Sequence, residues 1–168
     1  MSHTDSEKKS LGIALLTVSD TRSSENDTSG DYLATQLQTD GHRLVDRQLV
    51  PDDKYFIRAT LANWVITREV QVVLITGGTG FASRDVTPEA VGPLLDTEIP
   101  GFGELFRQVS HGEIGSSTIQ SRCLAGFSNN TLVFCLPGSP GACRTAWESI
   151  LGQQLDSTHK PCNFATQV

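Results

Sequence analysis

Val70-Gln71-Val72-Val73-Leu74-Ile75-Thr76-Gly77-Gly78-Thr79-Gly80 is the stretch on which the fold turns. Its first six residues are apolar apart from one glutamine, as expected of a central parallel strand covered on both faces. Three glycines in the next five residues let the backbone turn sharply. They also let amide N–H groups reach a ligand with no Cβ in the way. The turn lacks the terminal lysine of a P-loop and the G-x-G-x-x-G spacing of dinucleotide binders, so an ordinary tight turn stands beside phosphate binding as a reading.

Toward the N-terminus, Ile13-Ala14-Leu15-Leu16-Thr17-Val18 is a second short apolar run that ends at Ser19-Asp20, a buried strand entering a loop. Thr28 or Ser29 can cap a helix carrying Tyr32, Leu33 and Leu37, with Gly41 as its stop. His42 to Val50 is a further strand, ending at Pro51. Asp52 or Asp53 then opens a helix whose Ile57, Leu61, Trp64 and Val65 fall on one face.

Toward the C-terminus, Thr87-Pro88-Glu89 combines a cap, a proline at the first helical position and an acid in the first turn. Val91, Leu94 and Leu95 form the buried side of that helix. Gly101 to Ser110 is a short helix with Leu105, Phe106 and Val109 inward. Cys123–Phe127 and Thr131–Leu136 are strands joined by a hairpin turn at Asn129-Asn130. After Pro137-Gly138-Ser139-Pro140 a last helix runs to about Gln154, with Ala142, Ala146, Ile150 and Leu151 at helical spacing.

Strands alternating with helices predict an α/β domain: three layers, a mostly parallel sheet with helices on both faces. In such folds ligands bind beyond the carboxyl ends of the strands. Three loops share that edge: Ser19 to Gly30, Thr76 to Thr87, and Pro137 to Gly141. The last starts a helix, where free amides and the helix dipole favour an anion, although Ser139 serves equally as a plain cap. Asp52 and Asp85 fall at the same edge. Acids beside phosphate cradles repel the ligand unless a cation lies between, which points to Mg²⁺. Their alternatives are a helix cap for Asp52 and a partner for Arg84 in the case of Asp85. Asp20, Asp27 and Asp31, crowded in the first loop, read as solvated caps.

Length and charge narrow the function classes. The 168 residues make one domain, at ~150 per domain. Lys plus Arg number 13 against 19 Asp plus Glu, a net charge of −6 that lacks the cationic footprint of a nucleic-acid binder. No window approaches 18 consecutive apolar residues, so no membrane partner is expected. The polar start MSHTDSEKKS does not read as a secretory signal, and the expected compartment is cytoplasmic. Cys123, Cys135, Cys143 and Cys162 show no C-x-x-C pair and no histidine at zinc spacing, and read as free thiols. We expect residues 1–10 to be a disordered leader, 11–155 the folded domain and 156–168 a polar tail.

Taken together, Leu16-Thr17-Val18-Ser19-Asp20, Asp27-Thr28-Ser29-Gly30, Val50-Pro51-Asp52-Asp53, Thr76-Gly77-Gly78-Thr79-Gly80, Arg84-Asp85-Val86-Thr87-Pro88-Glu89-Ala90, Pro100-Gly101-Phe102-Gly103-Glu104 and Leu136-Pro137-Gly138-Ser139-Pro140 occur in the order of one family. The chain resembles the MoaB/Mog molybdopterin-binding family of molybdenum-cofactor biosynthesis over about residues 12 to 155. The resemblance implies the family's α/β fold, assembled as homotrimers or homohexamers. It also implies adenylylation: ATP plus molybdopterin gives adenylylated molybdopterin and pyrophosphate. Other molybdenum-cofactor enzymes are candidate partners. The family's two important aspartates fall on Asp52 and Asp85, as catalytic and Mg²⁺-holding residues. Ser19, Asp20, Thr76, Gly77, Gly78, Thr79, Gly80, Pro137, Gly138 and Ser139 fall on its nucleotide- and substrate-binding segments. Some relatives of the MoaB branch lack one or both acids and are inactive. This chain keeps both, while its short C-terminus and Trp147-Glu148 look like the MoaB branch. Gly141 departs from the family pattern, in which a lysine or another longer side chain often stands about there, so one possible phosphate partner is missing. The alternative function is a catalytically silent molybdopterin-binding oligomer.

Overall fold

A six-stranded sheet in the order β2-β1-β3-β6-β5-β4 forms the frame of the computed structural model, which describes residues 7–168. Residues 1–6 of the expected leader lie outside the described residues. β1 (Gly12–Val18), β2 (Arg43–Val50), β3 (Val72–Thr76) and β6 (Thr131–Leu136) run parallel. β5 (Leu124–Ser128) is antiparallel to β6, and the two-residue β4 (Thr97–Glu98) is antiparallel to β5. The reversal has a local cause. Asn129 and Asn130 both take positive φ, 47° and 63°, the backbone of a tight hairpin that asparagine tolerates best after glycine.

β1, β3 and β6 are buried along their whole length. Because side chains alternate across a strand, each strand feeds two cores. Ile13, Leu15, Val72, Leu74, Leu132, Phe134 and Leu136 face one side. There they meet Leu33 and Leu37 of α1 (Thr28–Thr39), Phe102 and Phe106 of α4 (Pro100–Ile114), and Cys143 and Ala146 of α5 (Pro140–Ala146). Ala14, Leu16, Val18, Val73, Ile75, Val133 and Cys135 face the other. Their partners are Ile57, Leu61 and Trp64 of α2 (Lys54–Val65) and Ala90 and Val91 of α3 (Thr87–Val91).

Several local expectations shift. Asp27, not Thr28 or Ser29, caps α1: its carboxylate accepts from Gly30 N. It is also not solvated but 1% exposed. Asp53, not Asp52, caps α2. Thr87 lies inside α3 and caps nothing, because its hydroxyl is used elsewhere. α4 is longer than expected, and it buries Phe102, Gly103, Phe106 and Ser110 while Leu105 faces outward. Its start falls within one residue of the expectation, and the added length is the polar His111-Gly112-Glu113 turn and Ile114 at its C-terminal end, where no apolar periodicity marks a helix. The last helix passes through a π-helical turn, Trp147–Leu151, before its final α-turn Gly152–Gln154. Beyond it, Phe164 packs edge-on to Phe127 and Phe134, and Ala165 is fully buried. The four cysteines are free thiols, three of them buried.

Asp27 ties three elements together. It accepts from Thr17 Oγ1 of β1 at 2.6 Å, from Arg47 Nη2 of β2 at 2.9 Å and from Arg22 Nη1 at 3.3 Å, besides capping α1. Burial pushes its carboxyl up, but the bonds from Thr17, Arg47 and Gly30 outweigh it and hold the pKa below the ordinary 3.8. The unfolded chain therefore binds the proton first as the pH falls. The stabilisation is complete above pH 3.8 and is lost as the pH drops through the lower folded value. Asp27→Ala is expected to cost about 3 kcal/mol in urea unfolding at pH 7, because it removes a buried acceptor shared by Thr17, two arginines and a helix end. The difference between the two proteins should shrink below about pH 4.

Candidate active site at the carboxyl edge of the sheet

Gly77 is where three strand ends converge. Its N–H donates to Leu136 O at the end of β6, and a Cβ there would overlap the carbonyl oxygen of Val18 at the end of β1. A Cβ on Gly138 would lie 3.2 Å from Gly77 Cα. Gly77 and Gly78 both take positive φ, 105° and 67°, which glycine adopts without strain. Thr87 then holds the turn. Its hydroxyl donates to Gly77 O at 2.7 Å and its N–H to Gly78 O at 3.0 Å. With those carbonyls turned inward, the N–H groups of Gly78, Thr79 and Gly80 find no acceptor among the described residues. Such converging free amides form an anion-binding concavity.

Two carboxylates flank this turn. Asp52 Oδ1 would lie 3.1 Å from a Cβ on Gly78, and Asp85 Oδ2 would lie 2.8 Å from one on Gly80. Asp52 is fixed reciprocally with Asp20: Asp20 N donates to Asp52 Oδ2 at 3.0 Å and Asp52 N to Asp20 Oδ1 at 2.9 Å. Burial and then the charge of Asp20 raise the pKa of Asp52, and Asp85 adds to the effect. The site thus holds carboxylate charge that an added cation would relieve. Asp85 Oδ2 accepts from Ala82 N at 2.8 Å, closing a small loop. Arg84, the expected partner of Asp85, enters none of the ion pairs among the described residues.

These groups line one cleft of about 510 Å³, within the range of small-molecule sites. Ser19, Asp52, Thr76, Gly77, Gly78, Thr79, Gly80, Arg84, Asp85, Pro137, Gly138 and Ser139 all contribute to its wall. Asp20 does not; it acts through Asp52. Some wall residues have structural duties. Thr76 Oγ1 donates to Pro137 O at 2.9 Å, joining β3 to β6. Ser139 Oγ accepts from Ala142 N and caps α5, so its cap reading holds. Ser19 Oγ accepts from the N–H groups of Thr21 and Arg22.

The sequence reading passed over the other wall. Ser110 and Ile114 of α4 and Ser117, Gln120 and Ser121 after it close the cleft opposite the glycine turn. No motif marks them, since their role follows from how α4 packs. Arg22 also lines the cleft, bonded to Asp27 and to Gly138 O at 3.1 Å.

A mostly parallel sheet covered by helices, with two glycine-rich turns and two carboxylates lining a cleft at its carboxyl edge, defines a domain of the open-sheet α/β class. Residues 14–157 match the family described as "Probable molybdopterin binding domain". The chain is 52% identical over 164 residues to Molybdenum cofactor biosynthesis protein B of Escherichia coli (strain K12), covering 98% of this chain and 96% of that protein. A crystal structure of a Molybdenum cofactor biosynthesis protein B superposes with a TM-score of 0.85 at 44% identity, covering 88% and 92% of the two chains. The tungsten cofactor synthesizing protein MoaB from Pyrococcus furiosus gives 0.77 at 36% identity, covering 86% and 92%. The chain belongs to the MoaB/Mog molybdopterin-binding family.

Two glycines should respond oppositely to a methyl group. Gly77→Ala meets the Val18 carbonyl at a left-handed φ and is expected to cost more than about 2 kcal/mol in urea unfolding. Gly141, in the first turn of α5, has open space where a Cβ would go. Gly141→Ala should leave stability unchanged or raise it by up to about 1 kcal/mol.

Proposed function

We propose that this protein binds molybdopterin in the cleft as part of molybdenum-cofactor biosynthesis, and that it adenylylates it with Mg-ATP, releasing pyrophosphate. The observation that carries the catalytic part is the pair of carboxylates, Asp52 and Asp85, set on either side of an amide-lined turn. Carboxylates there would repel two phosphate-bearing substrates without a shared cation.

The donor set fits Mg²⁺. Among the described residues no three His, Cys, Asp or Glu side chains gather to hold a metal ion. Mg²⁺ commonly takes only one or two carboxylates and completes its shell with phosphate oxygens and water. Asp52 and Asp85 would hold it. When bound, it would neutralise the charge between the acids and the phosphates.

The remaining work belongs to the chain. The amides of Gly78, Thr79 and Gly80 hold the nucleotide phosphates. Gly138 and Ser139, at the start of α5, receive a phosphate or the pterin end, and Arg84 offers an unpaired positive charge. The terminal phosphate of molybdopterin has a second pKa of ~6 by analogy with a phosphoserine, so it is mostly a dianion at pH 7. Its oxygen attacks the α-phosphorus of ATP. The new P–O bond forms as the bond to the β-phosphate breaks, and pyrophosphate leaves with the electron pair. No proton has to be removed, so no general base is needed. Catalysis is positioning and charge neutralisation.

The family context also supports a homotrimer or homohexamer, with other molybdenum-cofactor enzymes as partners. Wild-type protein should release pyrophosphate only when ATP, Mg²⁺ and molybdopterin are all present. Asp85→Asn should cut that release at least about 100-fold, as loss of a transition-state charge contact does, while molybdopterin binding stays within a few-fold. Molybdopterin binding with no pyrophosphate from the wild type would leave the non-catalytic binding oligomer as the function. Equal release without molybdopterin would make the protein a nucleotide hydrolase.

A further inference from the structure

Arg122 lies just before β5, outside the cleft wall and outside every motif considered above. Its side chain nevertheless reaches across to the loop that carries Asp85. Nε donates to Gly80 O at 2.9 Å and Nη2 to Asp85 O at 2.9 Å, so one guanidinium joins the two ends of the loop. Nη1 pairs with Glu89 Oε1 of α3. The Phe81 ring, 66% exposed on the same loop, lies 5.1 Å from the guanidinium carbon. The backbone adds a fourth tie, from Arg122 N to Thr79 O at 3.0 Å.

We propose that Arg122 is a positioning residue that straps the 80–85 loop shut and thereby fixes the Asp85 carboxylate beside the glycine turn. It is not an anion ligand itself. Its fork is spent on two carbonyls and a carboxylate, and its face is covered by a ring, whereas Arg84 in the same loop stays unpaired. The loop has little else to hold it. Its internal bonds, Ala82 N to Asp85 Oδ2 and Asp85 N to Ala82 O, close it on itself and do not anchor it to the sheet. The planar, forked guanidinium matters because a lysine ammonium offers a single point from which it cannot serve all three acceptors together. Glu89 takes the third arm of the fork, and Nη2 binds the Asp85 carbonyl and not its carboxylate, so the strap does not occupy the acid it positions.

This inference rests on the adenylylation reading only for its kinetic arm. The test compares wild type with Arg122→Lys in two assays. In the first, trypsin digests each protein in limiting amounts, and the nick after Arg84 is followed by mass. The lysine variant should be nicked there at least fivefold faster, with its urea midpoint little changed. In the second, pyrophosphate release is measured across a Mg²⁺ titration. The variant should need at least fivefold more Mg²⁺ for half-maximal rate, while molybdopterin binding without ATP stays within twofold. A merely structural arginine would not move the Mg²⁺ dependence. Unchanged nicking together with an unchanged Mg²⁺ profile would overturn the strap. Faster nicking in a protein whose wild type makes no pyrophosphate would uphold the strap and overturn the catalytic reading. Faster nicking with an unchanged Mg²⁺ profile in an active enzyme would overturn the positioning role.

Discussion

The close approach of three strand ends at Gly77 is the constraint on which the rest of the molecule depends. β1, β3 and β6 lie side by side in parallel, so their carboxyl ends arrive at one edge. The chain leaving β3 must pass against the Val18 carbonyl and accept the backbone of Gly138 on its other side. Any side chain at residue 77 would hold the strands apart. With none there, Gly77 N closes on Leu136 O, Thr76 Oγ1 on Pro137 O and Thr87 Oγ1 on Gly77 O. These bonds turn the carbonyls toward protein and leave the next three amides, on the cleft wall, without acceptors among the described residues.

The carboxylates carry the opposite charge requirement. Asp52 is locked to Asp20 by a reciprocal pair of bonds, each from a backbone N–H to the other's carboxylate, and Asp85 is locked to its own loop. Neither is neutralised by an ion pair among the described residues, whereas Asp27, on the loop after β1, is tied to two arginines. The contrast separates two uses of the same residue type. Asp27 is buried and paired, and it holds β1, β2 and α1 together. Asp52 lines the cleft in no ion pair, and burial and the charge of Asp20 push its pKa up against the opposing pull of Arg84 and the Asp20 N–H. A raised carboxylate pKa in a cleft lined by free amides marks this edge, not the Asp27 cluster, as the candidate site.

Much of this was legible in the order of residues, because the signals are local. The Val72–Thr76 strand, the glycine turn and the Asn129-Asn130 hairpin are each read within a few residues, since alternation, positive φ and chain reversal are near-neighbour properties. The same holds for Asp52 and Asp85, which occupy family motifs. The misreadings occurred where a residue had several possible partners. Thr87 looks like a helix cap by its neighbours, but the glycine turn lies closer to its hydroxyl. Asp27 looks solvated in a polar loop, but Thr17 and Arg47 reach it from two strands. Leu105 looks inward by hydropathy, but the face of α4 that meets the sheet is set by Phe102 and Phe106.

The sequence by itself determined the class of fold, the edge at which the glycine turns meet and the acids that stand there. Hydrophobic periodicity and glycine stereochemistry need no distant partner to be read. Tertiary structure decided which polar groups are spent on the protein and which are left for a ligand. That choice depends on contacts between residues such as Arg122 and Asp85, 37 positions apart, whose meeting is set by the place of β5 in the sheet and not by any local pattern.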